Sequence, residues 1–314
     1  MKLTFAWPVV LGLGVAVATS AANGATEETL QKAFPVANGG QLLVDVNGGS
    51  VEVKAADRND VRVEVYRKAT ARGLFGDETE ERAELEANKV TFVQDGTQVS
   101  VKTQRDKNAP RRSKISLNSR YTVLVPRQFN VDLKTAGGTI QVGELHGKLK
   151  AHTSGGSLKF SSIKGPIDGH TSGGSIEVNG SEGNAVVKTS GGSIKVREHK
   201  GDVQARTSGG SVDVDRVEGN VQASSSGGSV SATLAKQPTG ECRLETSGGG
   251  VTLRLPETAS VDLDAKTSGG SVQSDLPVKF TGEKKRSALK GAINNGGQPV
   301  FLRTSGGSIQ VKKS

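Results

Sequence analysis

The strongest constraint on the chain is a glycine pair that returns at a fixed interval. It falls at Gly137-Gly138, Gly155-Gly156, Gly173-Gly174, Gly191-Gly192, Gly209-Gly210 and Gly227-Gly228, an unbroken spacing of 18 residues. Gly248-Gly249 and Gly269-Gly270 follow at a spacing of 21, and Gly306-Gly307 closes the series. Most copies sit in one octapeptide, of which Thr207-Ser208-Gly209-Gly210-Ser211-Val212-Asp213-Val214 is representative. Self-similarity at a short fixed period marks an architecture in which one repeat is one coil and no coil buries its apolar face alone. With 33% hydrophobic but only 4% aromatic residues and 42 glycines, a thin aliphatic core repeated many times is the core this chain can build.

The phase of one coil can be counted. Val203, Ala205 and Thr207 share one face of a strand and Asp202, Gln204 and Arg206 the other; after the glycines, Val212 and Val214 point in while Asp213 and Asp215 point out. Val217 is the inward residue of a second turn, so each coil is two strands and two corners. A left-handed helix of hexapeptides would need an apolar residue every six positions, and Val203 is followed at that step by Gly209 and Asp215. The expected fold is therefore all-β, a single-stranded parallel β-solenoid of about 18–21 residues per coil. The paired glycines are expected to supply both positive φ and close backbone approach at a corner. The Thr-Ser preceding them is expected to form hydroxyl ladders. A phosphate cradle is the rival reading of such loops, but a strand follows each pair, with no helix or P-loop lysine.

Ahead of the regular repeat the chain is less uniform. Lys2, the apolar run Val9 to Ala18 and the small residues Ser20-Ala21-Ala22 read as a cleaved secretory leader over 1–22, too short to span a bilayer. Residues 23–35 read as a flexible lead or short helix. An irregular β-rich part over 36–134 contains an early copy of the repeat, Asn47 to Val53, and one short solvated helix near Asp77 to Asn88. Asp95-Gly96 marks a hairpin. The regular solenoid occupies 135–314, interrupted at 277–299 by a basic insertion expected to project as a loop. The sole cysteine, Cys242, rules out an internal disulfide and alternates in phase with Leu244, as a small buried hydrophobe would.

The formal net charge of +9 favours anionic polymers and surfaces as partners. Two basic clusters fall where the repeat fails: Arg105, Lys107, Arg111, Arg112 and Lys114 in one loop, and Lys279, Lys284, Lys285, Arg286 and Lys290 in the insertion. These ten are the candidate polyanion contacts. Along the regular coils, Lys159, Glu177, Lys195 and Asp213 stack with alternating sign, which is a structural arrangement. His152 and His170 lie one period apart on an outer face, His146 and His199 stand elsewhere, and exposed strand histidines account for all four better than a metal site. Asp213 with Asp215, or Asp262 with Asp264, are the carboxylates a polysaccharide-cleaving β-helix would use, but their register neighbours provide no cluster. Ice binding fails because the recurrent threonines are in the inward phase. No motif asks for a cofactor or a metal, and none specifies nucleic acid.

With these segments in view, the chain resembles the bacterial putative-adhesin family of β-strand-repeat proteins, a domain of unknown function with recurrent TSGGSI/V segments. The octapeptide copies carry the likeness, with Asn47 to Val53 and with Tyr121-Thr122-Val123-Leu124-Val125-Pro126 leading to Thr135-Ala136-Gly137-Gly138-Thr139-Ile140-Gln141-Val142. It covers roughly 36–314, implies architecture, and brings no catalytic residues. The leading functional expectation is a non-enzymatic exported envelope protein in the periplasm, at the cell surface or secreted. It would be a binding or adhesion scaffold for anionic polysaccharide, lipopolysaccharide or envelope proteins, with no transmembrane segment in the mature chain. A polysaccharide-active β-helix enzyme is the first alternative. A structural solenoid joining end to end is the second, motivated by the last coil, which ends at Ser314 with only Lys312 and Lys313 guarding its edge.

Overall fold

A computed structural model of the chain describes residues 16–22, 25–37, 39–71, 77–110, 112, 114–281 and 285–314. The chain is all-β apart from one helix among these residues. It divides into two compact units at Gly147/Lys148.

In the second unit the chain alternates between two sheets. Strands that precede a glycine pair, Leu149–Thr153, Ile167–Thr171, Ala185–Lys188, Val203–Thr207, Val221–Ser225 and Cys242–Thr246, lie in one. Strands that follow a pair, Leu158–Ser161, Ile176–Asn179, Ile194–Lys200, Val212–Glu218, Val230–Leu234 and Val251–Leu255, lie in the other. We call these the pre-glycine and post-glycine sheets. Neighbouring strands are parallel and in repeat register, Val203 beside Val221 and Val212 beside Val230. The three extra residues of the longer period are absorbed in the 235–241 connection, so Thr246 still falls beside Ser225. This part of the architecture is solenoid-like. The inward phase is as counted: Val203, Ala205, Val212, Val214 and Val217 are all at most 2% exposed, each valine contributing roughly 1.5–3 kcal/mol relative to exposure.

The two corners of a coil are built differently. Gly210 shows no positive φ; a Cβ there would sit 2.2 Å from Gly192 O and 2.5 Å from its carbonyl carbon, so the pair answers to proximity alone. Positive φ belongs instead to the opposite corner, at Ser162 (55°) with Gly165 (143°), Gly180 (57°) with Gly183 (117°), Glu198 (51°) with Gly201 (129°), and at Arg216 (51°). The expectation that the paired glycines supply both properties holds at Gly49, with φ 98° and a Cβ position 2.5 Å from Ser119 O, and is corrected for the regular coils. Thr207 lines the first corner from inside, accepting from Gly210 N at 3.3 Å and donating to Gly192 O at 2.8 Å. The same pattern recurs at Thr171, Thr189, Ser225, Thr267 and Thr304. A second ladder joins Ser211 N to Ser193 Oγ and Ser193 N to Ser175 Oγ, each at 3.2 Å.

Spatial order departs from chain order at the end. The last coil, Gln298–Thr304 and Ile309–Lys313, is inserted between Cys242–Leu255 and Val261–Ser274, pairing in parallel with both. The expected open C-terminal edge does not exist: Ile309–Lys313 is an interior strand, Lys313 pairs with Glu257 at 2.6 Å, and Ser314 N donates to Leu255 O.

The first unit uses the same device in reverse. Its first coil, Gln41–Val46 and Ser50–Ala56, lies between Gln98–Arg105 with Ile115–Pro126 on one side and Asn130–Thr135 with Ile140–Gly143 on the other. Antiparallel strands are added outside it. Asp60–Ala71 pairs with Ile115–Pro126 and Ala25–Pro35, and Asn88–Asp95 with Gln98–Arg105. Ala25–Pro35 is therefore a strand, with Thr26, Leu30 and Phe34 buried, where the sequence suggests a lead. Ala16–Ala22 pairs with it by backbone; the rest of the segment read as a leader lies outside the described residues.

The helix, Glu78–Ala87, starts at Asp77, whose carboxylate accepts from Thr79 N and Glu80 N. Leu85 packs on Ala69 and Ile115. Its acidic run is not simply a solvated face. Glu81, 1% exposed, accepts from Thr26 Oγ1 at 3.0 Å and Ala71 N at 2.9 Å, and Glu84 is buried against Arg105. Arg67, also buried, ties Glu28 to the carbonyls of Leu85 and Asn88. Each buried charge thus meets a partner, as burial requires.

Candidate functional site

The first basic cluster belongs to the connection between Gln98–Arg105 and Ile115–Pro126. Asp106 shapes it, accepting from Asn108 N at 2.9 Å through its side chain and from Ala109 N through its carbonyl. Arg105 is committed inward: its guanidinium is held by Glu84 and donates to Pro110 O at 3.0 Å. The hydrogen bond to Glu84 raises its pKa further. Lys107 and Lys114 are exposed and Arg112 is half-buried, while Arg111 lies outside the described residues. Lys89, Thr91, Gln104 and Asn108 border a shallow cleft beside Lys107.

The second cluster is not a projecting loop. Val278–Phe280 and Ala288–Ile293 form an antiparallel pair, and Ala288–Ile293 also pairs with Val261–Thr267, extending the pre-glycine sheet. The alternation Leu289, Gly291, Ile293 gives this segment an inward face, with Leu289 and Ile293 buried. Lys279, Lys285, Arg286 and Lys290 are exposed on it, and Lys284 lies outside the described residues. Lys290 stands opposite Asp264 in register, but that carboxylate is taken by Arg303 at 2.9 Å. The two clusters belong to different units.

The outer faces of the second unit differ in their charge order. On the post-glycine sheet Lys159, Glu177, Lys195 and Asp213 stand in register; Glu177 reaches Arg197 at 3.6 Å and Asp213 accepts from Ser231 Oγ at 2.5 Å. On the pre-glycine sheet the corresponding column reads His152, His170, Lys188, Arg206 and Ser224. The His152 and His170 rings stack at 5.2 Å between centroids, 3° from parallel. This column escaped the sequence reading of candidate contacts. The 18-residue register that aligns Lys159 with Glu177 also aligns Lys188 with Arg206, and that is the signal for this column in the sequence.

The remaining chemical candidates stay dispersed. Asp215 pairs with Arg216 at 3.1 Å and Asp264 with Arg303. Among the described residues no three His, Cys, Asp or Glu side chains converge as metal ligands. His199 is not an exposed strand histidine: it is 0% exposed, its Nε2 lies 2.7 Å from Gly183 O, and its Nδ1 has no partner. Burial holds its pKa below the ordinary histidine value, against the opposing influence of the Gly183 carbonyl. Cys242 is buried with Val221 N donating to its sulfur at 3.5 Å, and burial pushes its thiol pKa up. Among the described residues no helix is long and apolar enough to cross a membrane.

No curated protein matches the chain. Among the solved structures similar at low identity are the following three. A putative cell adhesion protein from Clostridium sporogenes ATCC 15579 is 11% identical with a TM-score of 0.23, over 90% of this chain and 99% of that one. A putative adhesin from Bacteroides fragilis NCTC 9343 is 11% identical with a TM-score of 0.41, over 91% and 97%. A putative lipid binding protein from Parabacteroides distasonis ATCC 8503 is 9% identical with a TM-score of 0.40, over 91% and 96%. The family model described as Toastrack DUF4097 matches residues 40–312, from the first coil to the last strand, and the chain belongs to that family.

Proposed function

We propose that the protein is a non-enzymatic, exported scaffold of the bacterial cell envelope, a single-stranded parallel β-solenoid whose flat outer faces bind anionic envelope polymers. The observation that carries this reading is the pairing of a net charge of +9 with parallel strands that present basic side chains in register on an open sheet. Polymers suit such a surface because weak contacts repeat along it, and multivalent attachment strengthens binding without any enclosed pocket. The dispersed carboxylates support a binding role over glycan cleavage, which needs two of them across one bond. The sequence pattern over 1–22 supports export. Lys107, Arg112, Lys114, Lys279, Lys285, Arg286 and Lys290 serve as additional contacts in this reading, as do Arg111 and Lys284. Arg105 belongs to the Glu84 pair and is withdrawn from the set.

The test is co-sedimentation of the purified mature chain with acidic polysaccharide, lipopolysaccharide and a neutral glucan at low and physiological salt. Binding to the anionic polymers alone, weakening as salt rises, is expected. Binding that ignores salt, or equal retention by the neutral glucan, would overturn the proposal.

A further inference from the structure

Parallel in-register stacking forces identical positions of successive coils together at a spacing of ~4.8 Å. Like charges so placed repel, and opposite charges attract. The post-glycine sheet meets this constraint by alternation, Lys159, Glu177, Lys195, Asp213. The pre-glycine sheet does not. Its column runs His170, Lys188, Arg206 without an acid, and among the described residues neither Lys188 nor Arg206 forms an ion pair. The adjacent outward column contains one acid near them, Asp168, followed by Val186 and Gln204. All three basic side chains are exposed. One sequence thus solves the same stacking problem on one face and leaves it open on the other.

We propose that His170, Lys188 and Arg206 form a linear track for an unbranched carboxylated polysaccharide lying across the strands. This rests on the polyanion reading above and names both its site and its ligand class. In an extended polyuronate one carboxylate recurs per sugar residue, at a rise comparable with the spacing between strands. The Arg206 guanidinium offers a fork suited to a carboxylate, and Lys188 a compact charge beside it. The flanks suit sugar hydroxyls. Gln204 and Gln222 hold their amides together at 3.5 Å on one side, and the exposed corner serines Ser190 and Ser208 line the other. Val186 stands where a single-stranded nucleic acid would need an aromatic platform for its bases.

Calorimetric titration of the mature chain with polygalacturonate, its methyl-esterified neutral form and oligo(dT) tests the track. Wild type should bind the acid form and neither of the others. The Lys188→Gln/Arg206→Gln variant should lose affinity about tenfold or more, and Lys159→Gln/Lys195→Gln, with the same charge change on the post-glycine sheet, should stay within about twofold. Both pairs point outward, so thermal midpoints should match wild type; if the double variant fails to fold, Arg206→Gln alone should show a several-fold loss. Unchanged affinity of the folded Lys188/Arg206 variant, with loss in Lys279→Gln/Lys290→Gln, would overturn the track and leave the polyanion reading standing. Equal binding of the esterified polymer or oligo(dT), or no binding of polygalacturonate, would overturn the ligand class. Failure of lipopolysaccharide binding as well would bring down the broader function with it.

Discussion

The two corners of a regular coil share close backbone approach but differ in backbone conformation. At the glycine corner the backbone is in ordinary φ territory, but the carbonyl of the preceding coil occupies the space of a Cβ, 2.2 Å away at Gly210. At the other corner the backbone enters the left-handed region at Ser162, Glu198 and Arg216, which costs roughly 1–2 kcal/mol for a residue with a side chain. Crowding is met by glycine at both corners, since a Cβ at Gly201 or Gly219 would also sit 2.4 or 2.2 Å from a carbonyl oxygen of the preceding coil, whereas the left-handed strain at Ser162, Glu198 and Arg216 is tolerated. The repeated motif records the first requirement and is silent about the second.

Gly210→Ala attacks that distinction with the largest expected effect. The atoms met by the new methyl are Gly192 O, Gly192 C and Ser193 N, all backbone, so no side chain can swing away. The coils must separate, and the loss should reach ~3 kcal/mol or more. Chemical denaturation measures it. A loss below ~1 kcal/mol would mean that the stack is looser than the in-register hydrogen bonds imply.

Thr207→Val probes the hydrogen bonds that hold the same corner closed. The variant keeps the shape but strands Gly192 O and Gly210 N, for an expected loss of ~1–3 kcal/mol. Thr207→Ser should recover most of it, because Ser225 already makes the same two bonds in the next coil, at 2.7 and 3.0 Å. If Val and Ser variants unfold at the same denaturant concentration, the hydroxyl ladder contributes nothing and backbone crowding alone defines the glycine corner.

The unequal legibility of the molecule follows from the same contrast. Strand phase, the threonine ladder and the burial of Cys242 could be read because period-two alternation ties each residue to a face. The left-handed corner could not be read from its first residue, since Ser162, Gly180, Glu198 and Arg216 carry no common chemistry; only the glycines three positions on, Gly165, Gly183 and Gly201, keep the 18-residue period. Chain order failed as a guide to spatial order because each coil presents a similar edge. Only the antiparallel hairpin beside Val261–Thr267 reveals how the last coil is confined. Ala25–Pro35 was obscured by its buried residues: Leu30 and Phe34 are four apart, a spacing that fits a helix as well as a strand. Of the candidate site, basic loops stood out as composition, while His170, Lys188 and Arg206 are 18 residues apart and form a column only once register is imposed.

His199 sharpens the comparison at the second corner, where it follows the left-handed Glu198 and faces inward beside Val217 in register. Its folded pKa is depressed by burial, so the unfolded chain binds the proton more readily. The stability of the neutral ring is complete above the ordinary histidine pKa of ~6.5 and is lost as pH falls from there through the depressed folded value. His199→Val should flatten that part of the stability profile, with the difference from wild type growing toward acid pH. Parallel profiles for the two proteins across this range would show that the unpartnered Nδ1 reaches a hydrogen-bond partner when protonated.

Arg216→Gly should produce the smallest change and makes the cleanest contrast with Gly210→Ala. Glycine removes the left-handed penalty at φ 51°. Against this stand a greater unfolded-chain entropy, ~0.4–1 kcal/mol, and the loss of the Arg216 pairs with Glu198 and Asp215, whose exposure leaves them little weight. The opposing contributions nearly cancel, and the expected net change is within ~1 kcal/mol. A loss comparable with that of Gly210→Ala would show that the guanidinium, by tying Glu198 to Asp215 across adjacent coils, holds the second corner beyond the backbone crowding already present at Gly201 and Gly219.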